Sequence, residues 1–273
     1  MSSTADVEVV RTGARGDVAQ LVLNRPDHAN AMTVNMAVAL NTAVEGALAD
    51  DAVKAIVLTG YGKSFCPGAD AKEALELAEQ IERREFPEQP FGGILAAVQK
   101  ATRTIFDSSK PTVAVVNGPA AAGGFDLALA CDFRIASRSS KFAQSYVKLA
   151  LPPLNGGAWL LSRLAGDAKA LRLLLTGETV DAPRALELGI VHELVDEDEA
   201  LARGVALAGQ LGAGAPEIVR FIKAEVRRAS SGSLEDAQSR AFVAGVAAMR
   251  APGHRTAAEK MLSAHRRKSS GNA

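Results

Sequence analysis

The chain is poor in the features that announce metal, disulfide or nucleic-acid chemistry. It has two cysteines in 273 residues, Cys66 and Cys131, far apart and outside any metal-ligand spacing. They predict two reduced thiols, with neither set up as a nucleophile, and no metal site. Charge of one sign is also missing, because Lys plus Arg and Asp plus Glu both number 31. No overall field therefore favours nucleic acid or an anionic membrane, and an anionic ligand has to be met by local charges. No apolar run approaches the roughly 18 residues that span a bilayer, and the opening MSSTADVEVV lacks a basic start followed by an apolar stretch. The expectation is a cytoplasmic protein with no nucleic-acid and no membrane partner.

What the chain has in quantity is core material. Hydrophobic residues make up 48% of it, enough for one large domain with an appendage or for two small ones. The most informative stretch is Asn117 to Asp132, NGPAAAGGFDLALACD, which sets small residues, a glycine pair and an acid at a strand-to-helix junction. The preceding TVAVV (112–116) reads as the strand and 123–130 as the helix. That places the Gly123 amide in a first turn, where backbone donors lack intrahelical acceptors and can hold an oxyanion. Asp126 follows three residues later, on the same helical face.

Around this stretch the expected order is mixed α/β. Runs 7–10 and 18–23 predict a hairpin, and NRPDHANAM predicts a loop. Thr33 then N-caps a helix whose Met36, Leu40, Val44 and Leu48 recur at i+4. A buried strand is expected at 55–59. After Pro67 and Gly68 a charged helix-forming stretch begins at Ala69, a second helix start. The Pro- and Gly-rich segment 85–93 and the helix 94–106 complete an excursion, 71–106, expected to act as a lid. Further strands are expected at 133–136, at 141–143 continuing the same sheet, and at 190–195, with helices at 158–164, 168–175 and 183–188. Beyond Glu197 only helices are expected (200–211, 216–228, 234–249, 256–267), ending in a disordered KSSGNA. The predicted division is an α/β core, 1–195, and a C-terminal helical region, 196–273.

Five blocks in order resemble the crotonase, or enoyl-CoA hydratase/isomerase, superfamily: NRPDHANAM, IVLTGYGKSFCPGAD, KPTVAVVNGPAAAGGFDLALACDFRIAS, the segment GG-W-LLSRLAG, and LLLTGETVDAPRALELGIVHELVD. The resemblance implies a spiral of ββα repeats with a C-terminal helical region used in trimer formation, and a homotrimer or dimer of trimers. It also implies an acyl-CoA thioester as partner, with no cofactor beyond the coenzyme A carried by the substrate. By position the two backbone amides that hold a thioester enolate resemble those of Ala69 and Gly123, each such donor being worth about 3–4 kcal/mol in the transition state. Substrate and coenzyme A contacts are implied for Arg25, His28 and Asn30, for Gly68, Asp70 and Lys72, and for Gly124, Leu154 and Asn155. His28 stands where many relatives have Lys. His192, His254 and His265 receive no role.

At the two carboxylate positions used by hydratases of this family the chain has Asp126 and Tyr146. Asp126 remains a carboxylate, as in the family's dienoyl-CoA isomerases. Tyr146, a phenol with a pKa near 10, does not replace a carboxylate base and is read either as a hydrogen-bond donor or as a pocket wall. Leu154 occupies a third place where some relatives, the ring isomerases of phenylacetate breakdown among them, carry an acid, and Asn155 beside it is a polar helper. The resemblance thus implies an enoyl-CoA hydratase/isomerase-like enzyme whose hydratase dyad is incomplete. The alternatives are an acyl-CoA binding protein with impaired catalysis, or a thioester hydrolase or decarboxylase.

Overall fold

The computed structural model describes residues 5–83 and 93–270. The central stretch of the expected lid, including most of 85–93, lies outside the described residues. So do the last three residues of the chain.

Two sheets share the work. The larger runs in the order β1-β2-β3-β4-β6-β9, from β1 (Val7–Thr12), β2 (Val18–Leu23), β3 (Ala55–Gly60), β4 (Thr112–Val116), β6 (Phe133–Ser137) and β9 (Glu193–Val195). Only β1 is antiparallel to its neighbour; the remaining steps are parallel. The smaller sheet is β5-β7-β8, built from β5 (Ala120–Ala121), β7 (Lys141–Ala143) and β8 (Thr179–Asp181). The chain therefore passes from the large sheet to the small one and returns through a helix: β4, β5, α4 (Ala122–Ala130), β6, and later β8, α7 (Ala182–Glu187), β9. This alternation is the expected ββα spiral. The expectation that 141–143 continues the main sheet is corrected: β7 pairs with β5 and β8 instead.

Strands β3 and β4 are buried along their whole length, which explains why they read as unbroken apolar runs. Helix α1 (Val34–Ala49) covers one face of the sheet. Thr33 caps it, its side chain accepting from the Met36 N–H at 3.1 Å, and Met36, Leu40 and Val44 are fully buried, each contributing about 1.5–3 kcal/mol. On the other face lies α8 (Ala200–Leu211), whose Ala200, Gly204 and Ala208 are buried, with Ala200 and Ala208 joining the cluster around Val57, Val113, Val115 and Ile135. A side chain at Gly204 would overlap Val115, so a small residue is required for the helix to reach the sheet. This packing extends the first compact unit to Ala213, beyond the boundary at 195 expected from the last strand.

The second unit starts at Gly214 and holds α9 (Pro216–Arg228), α10 (Leu234–Arg250) and α11 (Pro252–Ser270). The last helix continues through Ser270, so the start of the expected disordered tail is helical. Within this unit Glu225 accepts from Arg240 at 2.8 and 2.9 Å, tying α9 to α10.

Both cysteines are buried, and neither is in a disulfide among the described residues. Burial pushes the Cys66 thiol up to about 12, which keeps it protonated and unreactive. Arg134, on β6, is fully buried. Its guanidinium donates to the carbonyls of Cys131 (2.7 Å), Ala128 (3.2 Å), Leu129 (3.3 Å) and Ile190 (2.6 Å), and so closes the carboxyl end of α4 with a positive charge. Burial lowers its pKa to about 10, which leaves it charged at neutral pH.

Candidate active site

The site begins at the amino end of α4. Ala121 is extended and Ala122 has a φ of 44°, a left-handed turn unusual for alanine, so the chain swings sharply into the helix. Gly123, the second helical residue, carries a first-turn amide with no intrahelical acceptor. A side chain there would meet the Tyr146 hydroxyl at 3.5 Å and Val98 at 3.8 Å, so the glycine faces a space bounded by those groups. Gly124, by contrast, packs backward. A side chain at that position would overlap the Cys66 carbonyl, and its place in the site is structural.

The second loop meets the first at Gly68, which has a φ of 108°. A side chain on Gly68 would stand 3.2 Å from Ala122 Cβ and 3.3 Å from the Gly123 nitrogen, so only glycine allows this approach. Helix α2 (Ala71–Glu82) starts two residues later than expected, with Asp70 as its N-cap accepting from the Lys72 N–H at 3.1 Å. Ala69 therefore precedes the helix. It forms a parallel bridge with Met32, in which Met32 donates to the Gly68 carbonyl and Asp70 donates to the Met32 carbonyl, both at 2.8 Å. In such a bridge the N–H of Ala69 faces away from Met32. Ala69 is exposed, and no acceptor for its N–H occurs among the described residues.

Asp126 lies one turn along α4 from Gly123 and is fully buried. Gln144 Nε2 donates to its Oδ1 at 2.7 Å and the Tyr146 hydroxyl donates to its Oδ2 at 3.0 Å. The N-terminal residue of α5 (Gly157–Ala165) presses on the same carboxylate: a side chain on Gly157 would overlap Asp126 Oδ1 and stand 2.8 Å from Gln144 Nε2. Burial raises the Asp126 pKa to about 7, against the two hydrogen bonds, which favour the ionised form. Tyr146, in a 3₁₀ turn at 145–149, is buried, and burial together with the neighbouring Asp126 pushes its hydroxyl far above the ordinary tyrosine value. It is a donor here and not a base.

The other expected contacts divide into two groups. Arg25 Nη1 reaches the Ala31 carbonyl at 2.6 Å and Asp70 Oδ2 at 3.2 Å, linking the 25–31 loop to the start of α2. Burial opposes the Asp70 charge, but the bonds from Arg25 and from the α2 amides outweigh it and lower its pKa. His28 and Lys72 are exposed on the same two segments. Asn30 is fully buried, and its amide is used within the fold: it accepts from the Arg25 N–H and donates to the Tyr61 and Ser64 carbonyls. It shapes the loop. Asn155 is buried and donates to Thr102 Oγ1 at 2.6 Å, while the Leu154 carbonyl accepts from Gln99 at 2.7 Å; both join α3 (Ile94–Phe106) to the start of α5.

Gln144 was missed by sequence reasoning. Its position immediately after the KFA strand and two residues before Tyr146 is the only local signal, and nothing in it points back across the fold to Asp126. His192 likewise turns out to be structural, accepting from the Arg134 N–H at 3.1 Å, with burial lowering its pKa to about 4. Among the described residues no cluster of three or more His, Cys, Asp or Glu is placed to hold a metal, and no helix is long and apolar enough to cross a membrane.

Comparison with known proteins identifies the family and the fold. Residues 13–264 match the family model described as enoyl-CoA hydratase/isomerase. The chain is 35% identical over 231 residues to the short-chain-enoyl-CoA hydratase of Clostridium acetobutylicum, covering 83% of this chain and 85% of that protein. It is 32% identical over 239 residues to the 1,2-epoxyphenylacetyl-CoA isomerase of Escherichia coli, with 84% and 86% covered. The crystal structure of an enoyl-CoA hydratase from Polaromonas superposes with a TM-score of 0.84 at 30% identity, covering 94% of this chain and 96% of that one. With its two-sheet spiral and matches spanning most of its length, the chain belongs to the enoyl-CoA hydratase/isomerase family and has the crotonase fold.

Proposed function

We propose that the protein isomerises an acyl-CoA thioester by moving one proton. The thioester oxygen is held by the N–H groups of Ala69 and Gly123, and Asp126 removes a proton from the acyl chain and returns it at another carbon. The observation that carries this reading is that Asp126 is the one buried carboxylate among the described residues, and it faces Tyr146 where a second acid would be needed to split water. A pKa near 7 suits a group that must both take and give a proton at neutral pH. The two amides supply the larger share of the rate, since enolate charge develops on the oxygen they face.

Arg25, His28 and Lys72 are the side chains available to coenzyme A phosphates on the 25–31 loop and the start of α2. Arg25 is already engaged with Asp70, which makes it a support for the loop as much as a contact. Assembly as a homotrimer or dimer of trimers is supported by the apolar residues left exposed on the C-terminal helices, among them Ile222, Val226, Phe242, Val243 and Met249.

The test is a panel of enoyl-, dienoyl-, malonyl- and aryl-CoA thioesters incubated in deuterated water and read by mass spectrometry. Isomerised product with deuterium incorporated, lost in Asp126→Asn while acyl-CoA binding by calorimetry is kept, is the expected result. Exchange unchanged in Asp126→Asn removes the carboxylate from the mechanism. Tight binding with no turnover of any thioester would make the protein a binder, and release of free coenzyme A or carbon dioxide would make it a hydrolase or decarboxylase.

A further inference from the structure

The amide of Gln144 is bonded at one end only, like that of Asn155, but its bond is to the Asp126 carboxylate. It is 1% exposed, its Nε2 donates to Asp126 Oδ1 at 2.7 Å, and its Oε1 is buried with no hydrogen-bond partner among the described residues. An amide held at only one of its two ends has no second bond to fix which end faces the carboxyl. Rotating it by half a turn exchanges one unpaired atom for another, so the surroundings give neither orientation a clear advantage. The decision falls to Asp126. An ionised carboxylate only accepts and calls for Nε2–H, whereas a carboxylic acid protonated on Oδ1 donates and calls for Oε1.

We propose that Gln144 is a positioning residue that carries Asp126 through both halves of the proton transfer by turning its side-chain amide. In the resting enzyme it donates to the carboxylate. When a C–H bond of the acyl chain breaks, the electron pair passes into the enolate and the proton goes to Asp126 Oδ1. Gln144 then presents Oε1 to that O–H and holds it until the proton is returned to carbon, after which the amide turns back. Gly157 keeps the space beside Oδ1 free of any side chain, and the Tyr146 hydroxyl anchors Oδ2 throughout, so the carboxyl plane stays fixed while the amide moves. The inference rests on the proposed role of Asp126.

Selective ¹⁵N-glutamine labelling of the full-length protein, with the Gln144 signal assigned by its absence in Gln144→Met, reads the amide directly. The expected result is a side-chain amide proton that moves in a single step between about pH 5 and about pH 8, with no such step in Asp126→Asn. An amide signal unchanged across that range overturns the proposal. In turnover, Gln144→Met is expected to lower kcat about tenfold or more with little change in KM, as loss of a hydrogen bond to a charged group does. It should also move the acid limb of the kcat profile to higher pH, because the charge-assisted bond lost from the ionised carboxylate is stronger than the neutral bond lost from the acid. The isosteric Gln144→Glu should shift the limb the same way if the methionine variant fails to fold. An unmoved limb with normal kcat overturns the proposal. The Asp126→Asn exchange experiment fails independently of this titration, so the two readings can be told apart.

Discussion

Replacing Asp126 by Asn should make the protein more stable at neutral and alkaline pH while it stops the chemistry. The carboxyl has an ordinary pKa of 3.8 and is held at about 7 by burial in the folded chain. At about 1.36 kcal/mol per pKa unit, the ionised group costs the folded state about 4 kcal/mol once the pH is above both values. The direction follows from proton binding. Between the two pKa values the folded state holds a proton that the unfolded state has released, so stability falls as pH rises through that window. Asn carries no such dependence. Its own fit, with the Tyr146 hydroxyl donating to the Asn oxygen and Gln144 turned to accept from the Asn NH₂, costs about 1 kcal/mol or less and is the same at every pH. The informative quantity is therefore the change with pH in the stability difference between the two proteins. It should move in favour of Asp126→Asn by about 2–3 kcal/mol between about pH 5 and about pH 8. Chemical denaturation of both proteins across that range, at one fixed protein concentration, measures it. A difference that stays flat would show that the carboxyl keeps an ordinary proton affinity and would remove the reason for calling it a base poised at neutral pH.

Three further outcomes follow from the same geometry. Gly157→Ala places a methyl on Asp126 Oδ1 and should lower the deuterium-exchange rate about 10²-fold by displacing the carboxyl, with about 1–3 kcal/mol of destabilisation seen in denaturation. Normal exchange in that variant would show that the carboxyl position does not matter. Tyr146→Phe removes one donor from the ionised carboxylate, so the acid limb of kcat should move to higher pH and kcat should fall about tenfold; a loss of several thousandfold would instead make the hydroxyl a proton carrier. Arg134→Met takes a donor from each of four carbonyls, of which that of Ala128 keeps a backbone donor, and should cost about 3–5 kcal/mol by thermal or chemical unfolding. A change below about 1 kcal/mol would mean that water replaces the guanidinium.

What was legible in the sequence was set by periodic burial and local capping. The Thr33 cap, the i+4 spacing of α1 and the apolar runs of β3 and β4 are local signals, and each element appears where they point. The small sheet was not legible, because β5, β7 and β8 are two or three residues long and carry no period; their pairing is decided by the loops that meet at Cys66 and Ala120. The inclusion of α8 in the first unit depends on a contact between Gly204 and Val115 that is distant in sequence. At the site, the Asn117–Asp132 junction pointed to Gly123 and Asp126 because glycine pairs and first-turn acids have local meanings. The Gln144 contact reaches back 18 residues through the fold, and the inward use of Asn30 and Gly124 depends on which neighbour each one touches. Side-chain identity alone does not carry that information.

The buried Arg134 has a consequence for motion. Every residue of α4 is buried, and unwinding its last turn would strand a guanidinium and several carbonyls away from water, so local opening of this helix costs nearly as much as unfolding the whole unit. Helix α2, at whose foot Ala69 sits, has no buried residue at all. On the proposed reading, one half of the oxyanion pocket sits on a helix buried throughout, and the other joins the core, through the bridge to Met32, to a helix with no buried residue. Breathing that admits and releases a thioester can then come from α2, on the Ala69 side alone, while the amide and acid on α4 keep their alignment through each opening.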